Sequence, residues 1–337
     1  MNQLPETMTA VILESYSGVT ALHVEQRPLP KPGPHEVLVK VAASSINPSD
    51  LSFIEGMYGF RKPTPVVPGF EGAGTVVAGG ASSGLMGRYL MGKRVACISQ
   101  SEGDGVWAEY VATAVNYALP LDDSVSLEQG AMSVVNPLTA VALIEIAQNA
   151  GHKTIVNTAA AGALGQMINR LGQSAGIRVI NIVRRDTQVE LLQQRGADIV
   201  LNSSSPDFAQ QLHDACHQHR ARLAFDAIAG PMTLQLLEAM PIHGKVTVYG
   251  GLSLQPSMVS PAHTIFQSKS VDGFWLSKWL AKKNPLQSLL IWRRTQKLIT
   301  TTLQSEIRAR YSLQDAPKAV LAYQEQMTGG KVLIVPA

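Results

Sequence analysis

Between Thr154 and Tyr249 the chain alternates short apolar runs with helical patterns on a regular schedule, and few folds accommodate that rhythm. Thr154–Asn157 (TIVN) and Arg178–Val183 (RVINIV) read as strands, and Ala163–Ala175 between them has helical periodicity. A helix over Thr187–Arg195 is stopped by Gly196, after which Asp198–Leu201 reads as a strand. Helices over Pro206–His217 and Pro231–Met240 then separate strands at Leu223–Ala227 and Lys245–Tyr249 (KVTVY). Strand-then-helix units of this length mean an α/β fold with a doubly wound parallel sheet.

The chain has a different character on either side. Before residue 130, β-branched runs punctuated by Gly and Pro fall at Glu36–Ala42, Gly74–Ala78, Arg94–Ile98 and Trp107–Val111, which predicts a barrel-like β domain. The tail reads as a helix over Pro285–Gln304, a strand at Ile307–Tyr311, a helix over Ala316–Gln326 and a strand at Lys331–Val335. A tail of this kind is expected to rejoin the first domain. Residues 1–128 with 278–337 then form a split catalytic domain around a cofactor domain at 129–277. At 337 residues with 45% hydrophobic content, there is apolar material for a core in each. A net charge of +3 is too small to imply nucleic acid or a membrane surface and suits an anionic cofactor. Two distant cysteines, Cys97 and Cys216, exclude a disulfide framework and nearly exclude a cysteine-based zinc site. With no signal or transit pattern and no run of about 18 apolar residues, a cytoplasmic protein is expected.

The first strand of the alternating region runs into Ala159-Ala-Ala-Gly-Ala-Leu-Gly165 and then a helix. Small residues at such a turn let the backbone approach a pyrophosphate, and the helix N-terminus favours its charge. Gly162 and Gly165 match the last two glycines of G-x-G-x-x-G, with Ala160 in place of the first. The strand before and helix after supply the context of a Rossmann dinucleotide site, lined by Ala161, Gly162, Ala163 and Leu164. After the second strand come Arg184 and Arg185, where an NAD enzyme carries an acid for the ribose 2′-hydroxyl. Two guanidiniums suit a 2′-phosphate, so NADPH is the expected cofactor.

Five blocks in order, Ile46–Phe60 (INPSDLSFIEGMYGF), Pro68–Gly74 (PGFEGAG), Val135–Ala140 (VNPLTA), Val248–Leu252 (VYGGL) and Gly273–Trp279 (GFWLSKW), carry a resemblance. Along its full length the chain resembles the medium-chain dehydrogenase/reductase superfamily. Within it, the chain is most similar to the zinc-independent quinone reductases and the mitochondrial-type trans-2-enoyl-CoA/ACP reductases. The resemblance implies a β-rich GroES-like barrel catalytic domain beside the Rossmann domain. Zinc-dependent members carry a cysteine in the first block and Gly-His-Glu in the second. This chain has Ser44-Ser-Ile-Asn-Pro-Ser-Asp50 and Gly69-Phe70-Glu71, so no metal site is expected.

Without a metal, another group must stabilise the charge that hydride addition places on the substrate oxygen. A protonated phenol can donate a hydrogen bond there, and Tyr58 matches the tyrosine given this role in enoyl thioester reductases. The resemblance further implies cofactor contacts from Asn136, from Tyr249, Gly250, Gly251 and Leu252, from Phe274, Trp275, Leu276 and Ser277, and from Lys331 in the tail. It also implies a homodimer formed through an edge strand in Ser268–Leu276. The pair His213 and His217 reads as a solvated helix face rather than a metal chelate. The basic run at 278–297 (Lys278, Lys282, Lys283, Arg293, Arg294, Lys297) reads as solvated surface, with coenzyme A or carrier-protein phosphates as the alternative. Three functions fit: a trans-2-enoyl thioester reductase, an NADPH:quinone or 2-alkenal reductase, and a non-catalytic NADPH-binding protein.

Overall fold

The computed structural model describes residues 4–99 and 101–336. The chain forms two compact units, one from Met1–Val135 with Gln296–Ala337 and the other from Asn136–Thr295. Both divisions lie later than 128/129 and 277/278, the positions read from the alternation. Gln129 stays with the first unit because its side chain exchanges hydrogen bonds with the Ser305 backbone. Lys283 stays with the second through its ion pair to Glu145 on the Val135–Asn149 helix.

The second unit holds a six-stranded parallel sheet. Its spatial order is Ile199–Asn202, Arg178–Val183, Thr154–Asn157, Leu223–Asp226, Lys245–Val248 and Ser270–Gly273. By position in the chain that order is 3-2-1-4-5-6, the doubly wound Rossmann arrangement. The first strand is buried at every position, as a central parallel strand covered on both faces must be. Behind it runs a ladder of buried amides. Asn157 donates to Gly165 O and to Asn181 Oδ1, and Asn181 donates to Asn169 Oδ1, so the loop after the first strand is tied to the second strand and the following helix.

The first unit contains a hairpin, Thr7–Leu13 with Leu22–Pro28, and a seven-stranded sheet. The sheet runs Ile307–Ser312, Lys331–Val335, Glu36–Ser45, Glu71–Gly79, Arg94–Ile98 and Ala118–Pro120, with Tyr110–Ala114 also paired to Glu36–Ser45. Both tail strands thus join the unit built from the N-terminal segment. Of the elements that differ from expectation, two have a clear physical cause. The strand anticipated at Trp107–Val111 begins at Tyr110, because the Gly105–Trp107 backbone bonds instead to Val67–Gly69. Trp107 is fully buried against Gly69, where an added Cβ would lie 2.3 Å from the indole and φ is +99°. No other residue type fits at position 69 without moving that ring. The helix anticipated to Gln304 ends at Ile299, where the Thr300 and Thr301 hydroxyls bond back to Lys297 O and compete with helix continuation. Each unit buries one free cysteine, Cys97 in the first and Cys216 in the second, and burial pushes each thiol up to about 12.

Candidate functional site

In a parallel sheet every strand ends on the same edge, and four groups of sequence-selected residues fall there. Ala161–Leu164 follow the first strand, Arg184 and Arg185 the second, Tyr249–Leu252 the fifth and Phe274–Ser277 the sixth. The loop after the first strand turns through Ala159, whose φ of +49° is unusual for a residue with a side chain. Gly162 then caps the Ala163–Ser174 helix without any side-chain hydrogen bond. The first N–H groups of that helix have no carbonyl one turn back to bond, so they favour an anion. At Gly165 a Cβ would come within 2.6 Å of Ala159 O and Ala160 Cα, and at Gly250 within 2.8 Å of Ala227 O. Glycine is therefore what lets helix and strand ends close up around this edge. Small residues, an uncapped helix start and close backbone approach fit a dinucleotide.

Beside the loop, Arg184 and Arg185 are exposed. Asp186, the nearest acid, accepts from Asn202 Nδ2 at 2.7 Å and opens the next helix. Tyr249 continues from the fifth strand, its N–H donating to Asp226 O, and Phe274 N–H donates to Val248 O. Burial, with the negative charge of Asp226 nearby, holds the Tyr249 phenol well above its ordinary range, so it stays protonated. Asn136 is buried in the first turn of its helix. Sequence reasoning missed Thr158 and Asp226. The Asp226 carboxylate accepts from the Thr158 and Thr233 hydroxyls and from the Ile228 and Ala229 N–H groups, binding the first and fourth strand ends together. An acid closing the apolar run Leu223–Asp226 was the available signal.

In the first unit, Tyr58 sits half-buried on a short loop after the Pro48–Ile54 helix. Arg61 pins that loop by donating twice to Gly56 O. The Tyr58 ring packs on Phe60 edge-to-face at 5.1 Å and on Phe70 at 4.6 Å, and Phe53 and Phe60 pack on Phe70 in turn. Contacts of this kind add about 0.5–1.5 kcal/mol each beyond area burial and hold the ring in one orientation.

Behind this cluster lies a buried polar network the sequence reading did not anticipate. Glu71 Oε1 accepts from Ser45 Oγ and Asn47 Nδ2. Its Oε2 accepts from the Val134 and Val135 N–H groups, where the chain leaves the unit. Asp50 accepts from Asn47 N–H and Phe70 N–H. Burial, reinforced by Glu71, raises the Asp50 carboxyl to about 7. Lys331 is also buried here rather than reaching out of the tail: its ammonium donates to Ile46 O and Asn47 Oδ1. Burial lowers its pKa while Glu71 and Asp50 oppose the shift. Both of these bonds are internal to the first unit. Among the described residues no three His, Cys, Asp or Glu side chains group as metal ligands, and no helix is long and apolar enough to cross a membrane.

Residues 33–123 match the alcohol dehydrogenase GroES-like domain, and residues 163–290 match the domain of the zinc-binding dehydrogenases. The mitochondrial enoyl-[acyl-carrier-protein] reductase of Arabidopsis thaliana is 32% identical over 253 residues, covering 73% of this chain and 66% of that protein. Its Caenorhabditis elegans counterpart is 30% identical over 298 residues, 83% of each. A putative NADPH:quinone reductase from Mesorhizobium loti has a crystal structure that superposes with a TM-score of 0.92 at 35% identity, covering 99% of this chain and 100% of that one. The chain belongs to the medium-chain dehydrogenase/reductase superfamily. Within that superfamily it falls in the zinc-independent quinone and enoyl reductase branch, and it is an oxidoreductase.

If Lys331 is a structural cation, Lys331→Met leaves two carboxyl groups buried with no compensating charge. The expected loss is about 3–5 kcal/mol of stability, read from urea unfolding, with dinucleotide affinity of the folded protein unchanged. A variant of wild-type stability with weakened dinucleotide binding would return Lys331 to the cofactor site.

Proposed function

We propose that this protein is an NADPH-dependent reductase of conjugated carbonyl compounds, acting on a trans-2-enoyl thioester of coenzyme A or an acyl-carrier protein. The observation that carries the reading is Tyr58, a phenol held on a pinned loop by Phe60 and Phe70. NADPH supplies the hydride when bound. Arg184 and Arg185 bind its 2′-phosphate, Ala161–Leu164 the pyrophosphate, and Asn136, Tyr249–Leu252 and Phe274–Ser277 line the rest of the cofactor and the acyl pocket. Support for NADPH over NADH comes from the two exposed arginines, with Asp186 one position late for the acid an NAD site would use and opening the next helix. Tyr58 donates its hydroxyl proton in a hydrogen bond to the thioester oxygen. That bond strengthens as charge develops on the oxygen, so it acts on the barrier more than on substrate binding.

A second reading, a quinone as acceptor, is favoured by the name and near-complete overlap of the Mesorhizobium loti structure. The same residues serve it, with less demand on Tyr58, because the reduced ring stabilises its own oxygen. Assembly as a homodimer belongs to the proposal under either reading. Ser270–Gly273 is the outer strand of the second unit's sheet, and pairing with its copy would cover that edge.

Tyr58→Phe removes the donor and keeps the ring, so kcat with crotonyl-CoA is expected to fall about 10²–10³-fold with NADPH affinity unchanged. Parallel assays with a naphthoquinone and an unsaturated aldehyde rank the acceptors. Retention of more than about half the activity with the best acceptor removes Tyr58 from this role.

NADPH is expected to exceed NADH in kcat/KM at least about tenfold, equivalent to roughly 1.4 kcal/mol. Alanine at both Arg184 and Arg185 is expected to raise KM for NADPH and leave NADH nearly unchanged. Equal use of both cofactors by the wild type contradicts the assignment. Light scattering at micromolar concentration is expected to give twice the chain mass, and a monomer there excludes edge-strand pairing.

A further inference from the structure

We propose that Asp50 is a positioning residue for catalysis, holding Tyr58 in place through Phe70. The inference rests on the Tyr58 reading above. Asp50 lies in the first turn of the Pro48–Ile54 helix and is 1% exposed. Its two oxygens serve two different segments. Oδ2 accepts from Asn47 N–H at 2.8 Å, closing the start of its own helix, and Oδ1 accepts from Phe70 N–H at 2.9 Å, twenty residues on.

Each segment supplies one side of the Tyr58 seat. Phe70 carries the ring that meets Tyr58 at 4.6 Å, inclined by 38°. The helix carries Phe53, edge-on to Phe70 at 5.4 Å, and continues through Glu55 and Gly56 into the loop that bears Tyr58. One carboxylate therefore fixes the separation between the loop holding the phenol and the ring against which it rests. Phe70 N–H and Asn47 N–H each need an acceptor in a buried place, and only a group with two acceptor oxygens satisfies both. The titratable groups that face Asp50 are Glu71 from the next strand, Lys331 from the closing strand and Tyr323 from the Ala316–Glu325 helix. An amide of nearly the same volume fails, because its NH₂ would confront one of the two N–H donors.

The test is a double-mutant cycle on the full-length protein with saturating NADPH and crotonyl-CoA, or with the naphthoquinone if that is the better acceptor. Asp50→Asn is expected to lower kcat about ten- to hundredfold, with KM for NADPH and the circular dichroism spectrum unchanged. In the Tyr58→Phe background the same substitution is expected to cost almost nothing further, because the group it positions is already gone. A merely structural aspartate would lower activity by the same factor in both backgrounds, and that result overturns the proposal, as does a wild-type kcat for Asp50→Asn. If Tyr58→Phe alone leaves kcat intact, the Tyr58 reading fails first, which separates the two failures. Should Asp50→Asn not fold, Phe70→Leu retains the backbone N–H for Asp50 and deletes only the ring on Tyr58. It carries the same expectation, loss of kcat confined to the background that keeps Tyr58, and equal losses in both backgrounds overturn the proposal.

Discussion

Parallel hydrogen-bonded pairing in the second unit governs where its chemistry lies. Thr154–Asn157 pairs in parallel with a strand on either side, and three more strands follow the same direction. Loops more than a hundred residues apart in sequence therefore emerge on one edge. The order reverses beside the first strand, so the loops after it and after Leu223–Asp226 turn to opposite faces of the sheet and leave a crevice between them. Thr158 and Asp226 bridge the two strand ends at that point through a buried hydroxyl–carboxylate bond of 3.0 Å.

That unit was largely legible because burial on both faces writes itself into the chain as uniform apolar runs, and helices between them announce their ends with glycine. Gly196 and the Ala159–Gly165 turn are examples. The first unit was legible only in outline. Thr7–Leu13 is buried at most positions and its partner Leu22–Pro28 is half-exposed and partly charged, so neither shows the alternation that marks a strand. Trp107 reads as strand from its type, yet its position is set by Gly69, nearly forty residues earlier in the chain. No local window contains that pairing.

The same reason hid the buried network. Asp50, Glu71 and Lys331 are charged residues of a kind normally placed in water, and only the family resemblance gave Lys331 a place, at the cofactor. Only the antiparallel pairing of Glu36–Ser45 with both Glu71–Gly79 and Lys331–Val335 brings them together. Tyr58 was legible through its block, but not what holds it. Phe70 replaces the metal-binding histidine of zinc-dependent relatives with a ring, and in this chain that ring meets the phenol. A position that supplies a ligand in one branch supplies a wall in this one.

The two buried thiols lend each unit a reporter of its own opening. Cys97 lies in the first unit's central sheet and Cys216 on a helix packed under the second, and both are fully enclosed and held in the unreactive protonated form. An alkylating reagent can reach either sulfur only while the surrounding unit is transiently unfolded, so the labelling rate at each cysteine measures how often that unit breathes. With one thiol per unit and no others in the chain, mass spectrometry of the two peptides resolves whether the halves open together or separately.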